Sequence, residues 1–256
     1  MTVPGVAINL RGRNALVTGA GKGIGRATAL ALARAGAGIF GVSRTAADLE
    51  EVGAEVRALG VQWGALAIEV VGAVSAGRAA SAAIAALGDI DILVNNAGVA
   101  RNARAEEVTE DLWDEIQNTN ARGAFFMAQA IGRRMLARGR GRIINVTSQA
   151  ALNGLEAHAA YCASKAALTL VTKVLAIEWG PRGVTCNAVA PTVMLTPMGT
   201  RVWGDPVKAA PMLARIPLGR FGVPDDVASM ILFLASDHAS FINGETISVD
   251  GGFNAQ

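Results

Sequence analysis

The sequence predicts a doubly wound α/β protein, one parallel sheet with helices on both faces, and three observations carry that expectation. Short apolar runs alternate with helical segments along the whole length, the pattern that crossover connections impose on a parallel sheet. The first run, Asn14-Ala15-Leu16-Val17-Thr18, passes directly into Gly19-Ala20-Gly21-Lys22-Gly23-Ile24-Gly25 and then into Ala and Leu at helical spacing as far as Gly36. Later runs exit into small or polar residues, as Asp91-Ile92-Leu93-Val94 does into Asn95-Asn96-Ala97-Gly98. Ligands bind at such strand ends in open sheets. The expected architecture is a single domain over residues 1–256 with seven strands in the order 3-2-1-4-5-6-7.

The elements follow in order. In the first turn, Gly19, Gly23 and Gly25 let the backbone bend sharply and approach a pyrophosphate, while the helix N-terminus supplies N–H donors and a favourable dipole. This strand, tight turn and helix form a Rossmann-type dinucleotide signal. The second strand, Gly38 to Val42, ends at Ser43-Arg44. Arg44 stands where a site selecting NAD usually places an acid for the ribose hydroxyls. A guanidinium there, with Lys22 in the first loop, predicts NADP(H), because its planar fork suits a 2′-phosphate. The alternatives are two solvated surface cations, or an NAD(H) site rescued by Asp48 or Glu50.

A polar helix from about Thr45 to Leu59, a strand over Val61–Ile68 and an alanine-rich helix to about Leu87 lead to the buried strand Asp91–Val94. Beyond it, the small residues of Asn95–Gly98 let the chain lie flat against a nucleoside, and the asparagine amides tie neighbouring strands. One long amphipathic helix is expected from about Glu110 to Arg138. It carries Asn120, a poor helix-interior residue unless its side chain has a task, and Gly123, which permits a local irregularity. The run Ile143–Ser148 is read as a strand that places the Ser148 hydroxyl at its C-terminal edge. A helix through Tyr161 and a strand over Val184–Ala190 follow. Residues from Pro191 to about Arg215 show no clear period and read as a mobile substrate lid. A helix starting near Pro224 and a strand at Thr246–Val249 close the chain.

Tyr161-Cys162-Ala163-Ser164-Lys165 is the candidate chemical centre. A phenol and an ammonium four residues apart share a helix face, so the lysine can lower the proton affinity of the tyrosine. Such a pair alone is commonly a surface contact. Here it holds the only tyrosine in the chain, and Ser148 lies 13 residues before it.

Composition narrows the function. A 52% hydrophobic chain with 23 basic and 21 acidic residues carries a net charge of only +2, which argues against nucleic acid as a main partner. Cys162 and Cys186 form no metal or CxxC spacing and fit reduced thiols. No signal pattern opens the chain and no uninterrupted apolar run reaches membrane length. The expectation is a soluble, cytoplasmic protein without membrane attachment.

With those residues in place, the chain resembles the short-chain dehydrogenase/reductase family over nearly all its length. The likeness rests on TGAGKGIG at Thr18–Gly25, NNAG at Asn95–Gly98, Asn120, Ser148 and YCASK at Tyr161–Lys165, in the family's order and spacing. It implies hydride transfer at a nicotinamide. Tyr161 would be general acid or base, Ser148 would bond the substrate oxygen, Lys165 would hold the ribose, and Asn120 would position a relay water. It also implies cofactor contacts at Gly19, Lys22, Gly23, Ile24, Gly25, Ser43, Arg44, Glu69, Val70, Asn95, Ala97, Gly98, Pro191, Val193 and Thr196.

A narrower resemblance is to the NADPH-using L-xylulose and dicarbonyl reductase group. It is carried by GVSRTAADL at Gly41–Leu49, TSQ at Thr147–Gln149, PTVMLTPMG from Pro191, Trp203, and RIPLGRF at Arg215–Phe221. That likeness implies a small ketose, polyol or dicarbonyl substrate lined by His158 and Trp203, and a homotetramer built through the Asn120 and Tyr161 helices. Two departures stand out: Glu69-Val70 replaces the family's usual Asp-Val beside the adenine, and Thr192 replaces a glycine common after Pro191. The alternatives are an NAD(P)-dependent sugar or polyol dehydrogenase, a 3-oxoacyl reductase, or a nucleotide-binding regulator without chemistry.

Overall fold

The computed structural model describes residues 8–255. Its elements run β1 (Asn14–Thr18), α1 (Gly23–Arg34), β2 (Gly38–Ser43), α2 (Ala46–Ala58), β3 (Trp63–Ala67), α3 (Ala73–Leu87), β4 (Ile92–Asn95), α4 (Glu110–Gln117), α5 (Ala124–Arg138), β5 (Gly141–Val146), α6 (Ala159–Trp179), β6 (Val184–Pro191), α7 (Pro197–Trp203), α8 (Pro206–Leu213), α9 (Pro224–Ala235) and β7 (Thr246–Val249). All pairings are parallel, in the order β3-β2-β1-β4-β5-β6-β7. This is the expected order, and the switch point lies between β1 and β4.

Strand pleating sends alternate β1 side chains to opposite cores. Ala15 and Val17 join Leu30, Leu49, Val52, Val227 and Ile231, the layer built by α1, α2 and α9. Leu16 faces Met127, Ile131, Met135 and the alanines of α3, the layer built with α5 and α6. Each fully buried large side chain contributes about 1.5–3 kcal/mol, so both faces are held independently of any ligand. The small residues Ala76, Ala79, Ala80 and Ala83 let α3 lie close to α5.

Amides knit the layers beneath the site. Asn95 Nδ2 donates to Asn145 Oδ1 at 2.9 Å, and Asn145 Nδ2 donates to Thr172 Oγ1 at 2.9 Å. The expected role of the strand-end asparagines in tying neighbours together is therefore present. Asn96 Nδ2 also donates to the Thr18 carbonyl at 3.0 Å.

Three expectations are corrected. The helix predicted from Glu110 to Arg138 is interrupted by a π-helical segment, Asn118–Gly123, that separates α4 from α5. A Cβ on Gly123 would sit 2.1 Å from the Val70 carbonyl oxygen, so the wider turn is pressed against the chain after β3. Ser148 lies beyond β5 rather than in it, where its hydroxyl caps the 3₁₀ turn Gln149–Ala151 by accepting from Ala150 N–H at 3.1 Å. The proposed lid is not structureless, since it contains α7 and α8.

By length and mean hydropathy (1.4), the α6 segment Ala159–Arg182 could cross a membrane. Its Leu168, Thr172, Leu175 and Ala176 side is buried in the protein instead.

Candidate active site

The loop after β1 is shaped by backbone requirements that only glycine meets. Gly19 and Gly23 have φ of 67° and 56°, a region strained for residues with a Cβ. A Cβ on Gly25 would lie 2.1 Å from the Gly19 carbonyl oxygen. Helix α1 then starts at Gly23 with no side-chain cap from Lys22, so its first N–H groups are open to an anion. Thr18 Oγ1 accepts from Asn96 N–H and Ala97 N–H, both at 3.0 Å, which binds this loop to the β4 exit across the switch point. An uncapped helix start beside side-chain-free backbone fits a dinucleotide pyrophosphate.

Of the other expected cofactor positions, Thr196 stands directly against this loop. Thr196 caps α7 by accepting from Gly199 N–H, and its methyl lies 3.0 Å from where a Cβ on Gly23 would stand. Pro191 ends β6, Val193 packs beside the α8 cluster, and Ile24 packs on the α1 core. Val70 is buried against the π-helical segment. Ser43 closes β2, and its carbonyl accepts from Ile68 N–H at 2.8 Å.

The two cations read as a phosphate site are each paired with an acid. Lys22 Nζ lies 3.1 Å from Asp48 Oδ2, and Arg44 Nη1 lies 3.4 Å from Glu69 Oε1.

At the neighbouring strand ends, α6 brings Tyr161 and Lys165 beside Ser148. The Ser148 hydroxyl stands near enough to the phenol to favour its ionised form. Lys165 Nζ donates to the Val146 carbonyl at 2.9 Å and lies 5.8 Å from the Tyr161 ring centre. Asn120 is fully buried: its Oδ1 accepts from Val99 N–H at 2.8 Å, and its Nδ2 donates to Val99 O at 2.9 Å and Ser164 Oγ at 3.0 Å. Ser164 donates onward to the Tyr161 carbonyl. Gly98 completes the group, its open Cα facing Asn120 Oδ1 and Lys165 Nζ.

The expected lowering of the tyrosine pKa is not found. Burial pushes the Tyr161 phenol above its ordinary value, and the Ser148 hydroxyl offsets only part of this. Burial also pushes Lys165 down to about 8. Both ionic forms lose hydration here, and the lysine spends its hydrogen bond on Val146 O, so desolvation outweighs their mutual effect. At neutral pH the site therefore holds a protonated phenol, able to donate, beside a lysine that is still mostly charged.

His158 and Trp203 separate in their surroundings. The His158 ring stands edge-on to Tyr161, with centroids 6.2 Å apart, and its Nδ1 meets Glu156 O at 2.7 Å. A backbone bridge joins His158 to Ala103, fastening the loop after β4 to the start of α6. The residue before it, Ala157, is the one non-glycine with positive φ (60°) among the described residues. Trp203 packs against Phe221 with ring centres 6.1 Å apart, and Lys208 Nζ lies 5.9 Å from its ring. Its ring contacts thus run to α8 and to the segment between α8 and α9.

Sequence reasoning missed Ser164 as the link between Asn120 and α6, and Thr18 as the clasp between two loops. Both lie inside the quoted motifs, so their positions were visible while their partners were not.

The fold and this cluster define a nicotinamide-type oxidoreductase of alcohol and carbonyl groups, and comparison with known proteins agrees. A family model described as enoyl-(acyl carrier protein) reductase matches residues 19–254. The chain is 49% identical to D-threitol dehydrogenase of Mycolicibacterium smegmatis, covering 95% of this chain and 94% of that one. It is 46% identical to L-xylulose reductase of Bos taurus, over 97% and 99% respectively. A crystal structure from Beutenbergia cavernae, described as an NAD(P)-dependent gluconate 5-dehydrogenase with NADP bound at low occupancy, aligns with a TM-score of 0.93 at 40% identity, covering 98% of this chain and all of the other. The chain belongs to the short-chain dehydrogenase/reductase family.

Proposed function

We propose that the chain is an NADP(H)-dependent reductase of a small ketose, polyol-derived ketone or dicarbonyl, acting as one domain with residues of about 191–215 as its substrate cap. The observation that carries this is the meeting of Ser148, Tyr161 and Lys165 beside the uncapped α1 N-terminus. When bound, the dinucleotide supplies or accepts the hydride. Tyr161 gives its phenolic proton to the substrate oxygen in reduction and takes it back in oxidation. Ser148 donates a hydrogen bond to that oxygen, and Lys165 holds the ribose with the N–H groups that Val146 O leaves over. Asn120 fixes the π-helical turn and Val99, keeping the wall behind Lys165 in place.

Lys22, Ser43 and Arg44 are the candidate contacts for a 2′-phosphate, and Gly19, Gly23, Ile24 and Gly25 for the pyrophosphate. Glu69, Val70, Asn95, Ala97 and Gly98 are the candidates for the adenosine side, and Pro191, Val193 and Thr196 for the nicotinamide side. His158, by its contact with the Tyr161 ring, and Trp203, as part of the cap, are the candidate substrate contacts.

The exposed Leu170, Val174 and Ile177 on α6 support a tetramer joined through that helix. Two free thiols support a reducing, cytoplasmic setting. The relation to D-threitol dehydrogenase favours a second reading, oxidation of a small polyol by the same groups.

A panel of L-xylulose, erythrulose, diacetyl, D-threitol and an acyl-thioester ketone, each with NADPH/NADP and NADH/NAD, decides between them. Fastest loss of NADPH absorbance with a small ketose or dicarbonyl is the expected result; turnover confined to the thioester, or to none, refutes it.

A further inference from the structure

Two ion pairs are formed by the residues that the dinucleotide reading assigns to the 2′ position and its neighbourhood. Lys22 Nζ is 3.1 Å from Asp48 Oδ2, and Arg44 Nη1 is 3.4 Å from Glu69 Oε1. The cluster is neutral as it stands. Asp48 is also the more fixed of the two acids. Its side chain is 16% exposed, against 46% for Glu69, and it lies in the first turn of α2, where the helix dipole favours a carboxylate. The loop is pressed onto it: a Cβ on Gly21 would stand 2.8 Å from Asp48 Cβ and 3.3 Å from Ser43 Oγ. Arg44 and Glu69 follow the adjacent strands β2 and β3, which the bond from Ile68 N–H to Ser43 O holds in register just before them.

We propose that Asp48 and Glu69 are specificity-determining residues that weaken discrimination for the 2′-phosphate, so that the chain binds NADH as well as NADPH with a margin these carboxylates set. This rests on the nicotinamide reading above. A 2′-phosphate entering the cluster meets two cations already neutralised and two carboxylates of its own sign. A 2′-hydroxyl meets no such repulsion, and a carboxylate can accept its hydrogen bond, as in sites that select NAD. Both acids therefore move the preference in the same direction, each penalising the phosphate and each offering an acceptor to the hydroxyl. Since Asp48 is fixed by the loop and by its helix, it has the larger share.

The test is direct measurement of dissociation constants for NADPH and NADH by protein fluorescence quenching, on wild type, Asp48→Asn, Glu69→Gln and the double variant. Each single change should raise the NADPH preference about two- to five-fold, the range expected of a partly exposed ion pair, with Asp48→Asn giving the greater shift. The double variant should raise it about ten-fold if the two acids act independently. Raising salt from about 50 to about 500 mM should weaken NADPH binding more in the double variant than in wild type, because the variant leaves two unneutralised cations. Thermal midpoints check that the fold is kept, and the exposed Glu69→Gln keeps the question decidable should Asp48→Asn unfold. A preference ratio unchanged in every folded variant, or equal shifts for both dinucleotides, overturns the proposal while leaving the nicotinamide reading intact. Wild-type protein that binds neither dinucleotide overturns both.

Discussion

The buried ammonium of Lys165 makes a stability prediction that needs no substrate. Its side chain is 4% exposed, and burial lowers its pKa from 10.5 to about 8. Between about pH 8 and 10.5 the unfolded chain holds this proton and the folded chain does not, so stability rises with pH across that window. Below pH 8 both states are protonated, and the folded state bears the full cost of about 3 kcal/mol, at 1.36 kcal/mol for each pKa unit. Lys165→Met removes the charge but abandons the bond to Val146 O, a loss of about 1 kcal/mol. The cofactor-free variant should therefore be about 2 kcal/mol more stable than wild type at pH 7, with the gap closing to near zero by about pH 10. Urea unfolding of both proteins at pH 7, 8, 9 and 10 measures this. Taking the difference cancels the other groups that titrate there, including Tyr161 and Cys186. A gap that stays constant with pH, or a variant less stable at pH 7, would refute the reasoning.

Three further outcomes are expected. Tyr161→Phe removes the transferable proton and should lower kcat by about 10²–10⁴-fold, while the dissociation constant for NADPH, measured by fluorescence, stays within about two-fold; equal turnover would contradict the assignment. Gly25→Ala forces a methyl against the Gly19 carbonyl; it should cost about 1–3 kcal/mol in urea unfolding and weaken NADPH and NADH alike. Ala157→Gly relieves the positive φ before His158 and should raise stability by about 1 kcal/mol, which calorimetry would register as a higher Tm.

Much of the fold was legible because buried parallel strands read as short apolar runs and glycine marks where they turn. The run Leu16-Val17-Thr18 followed by Gly19 located both β1 and the loop that its end supports. The π-helical segment was not legible as such, because the apolar face of one helix simply lapses between Ile116 and Met127, with Thr119, Asn120 and Gly123 at its inward positions; Asn120 and Gly123 were its outward signs. Helices α7 and α8 escaped notice for lack of a period, although Thr196-Pro197 and Asp205-Pro206 each pair a capping side chain with a proline at the first helical position. In the candidate site, spacing placed Tyr161 and Lys165 on one helix turn but carried no information about hydration. The direction of the tyrosine shift was therefore missed. Likewise Asp48 was visible as an acid in the right region, and its partner Lys22 as a cation, while their pairing depends on how the loop is pressed against α2.

The buried line from Asn95 through Asn145 to Thr172 acts as a key between β4, β5 and α6. A slip of one residue in either strand would turn an amide to the opposite face and orphan its neighbours in a dry interior. Misaligned assemblies are thereby rejected while the sheet forms. The helix that carries the phenol is indexed against the strand that leads to the serine, so their spacing is decided by folding before any small molecule arrives.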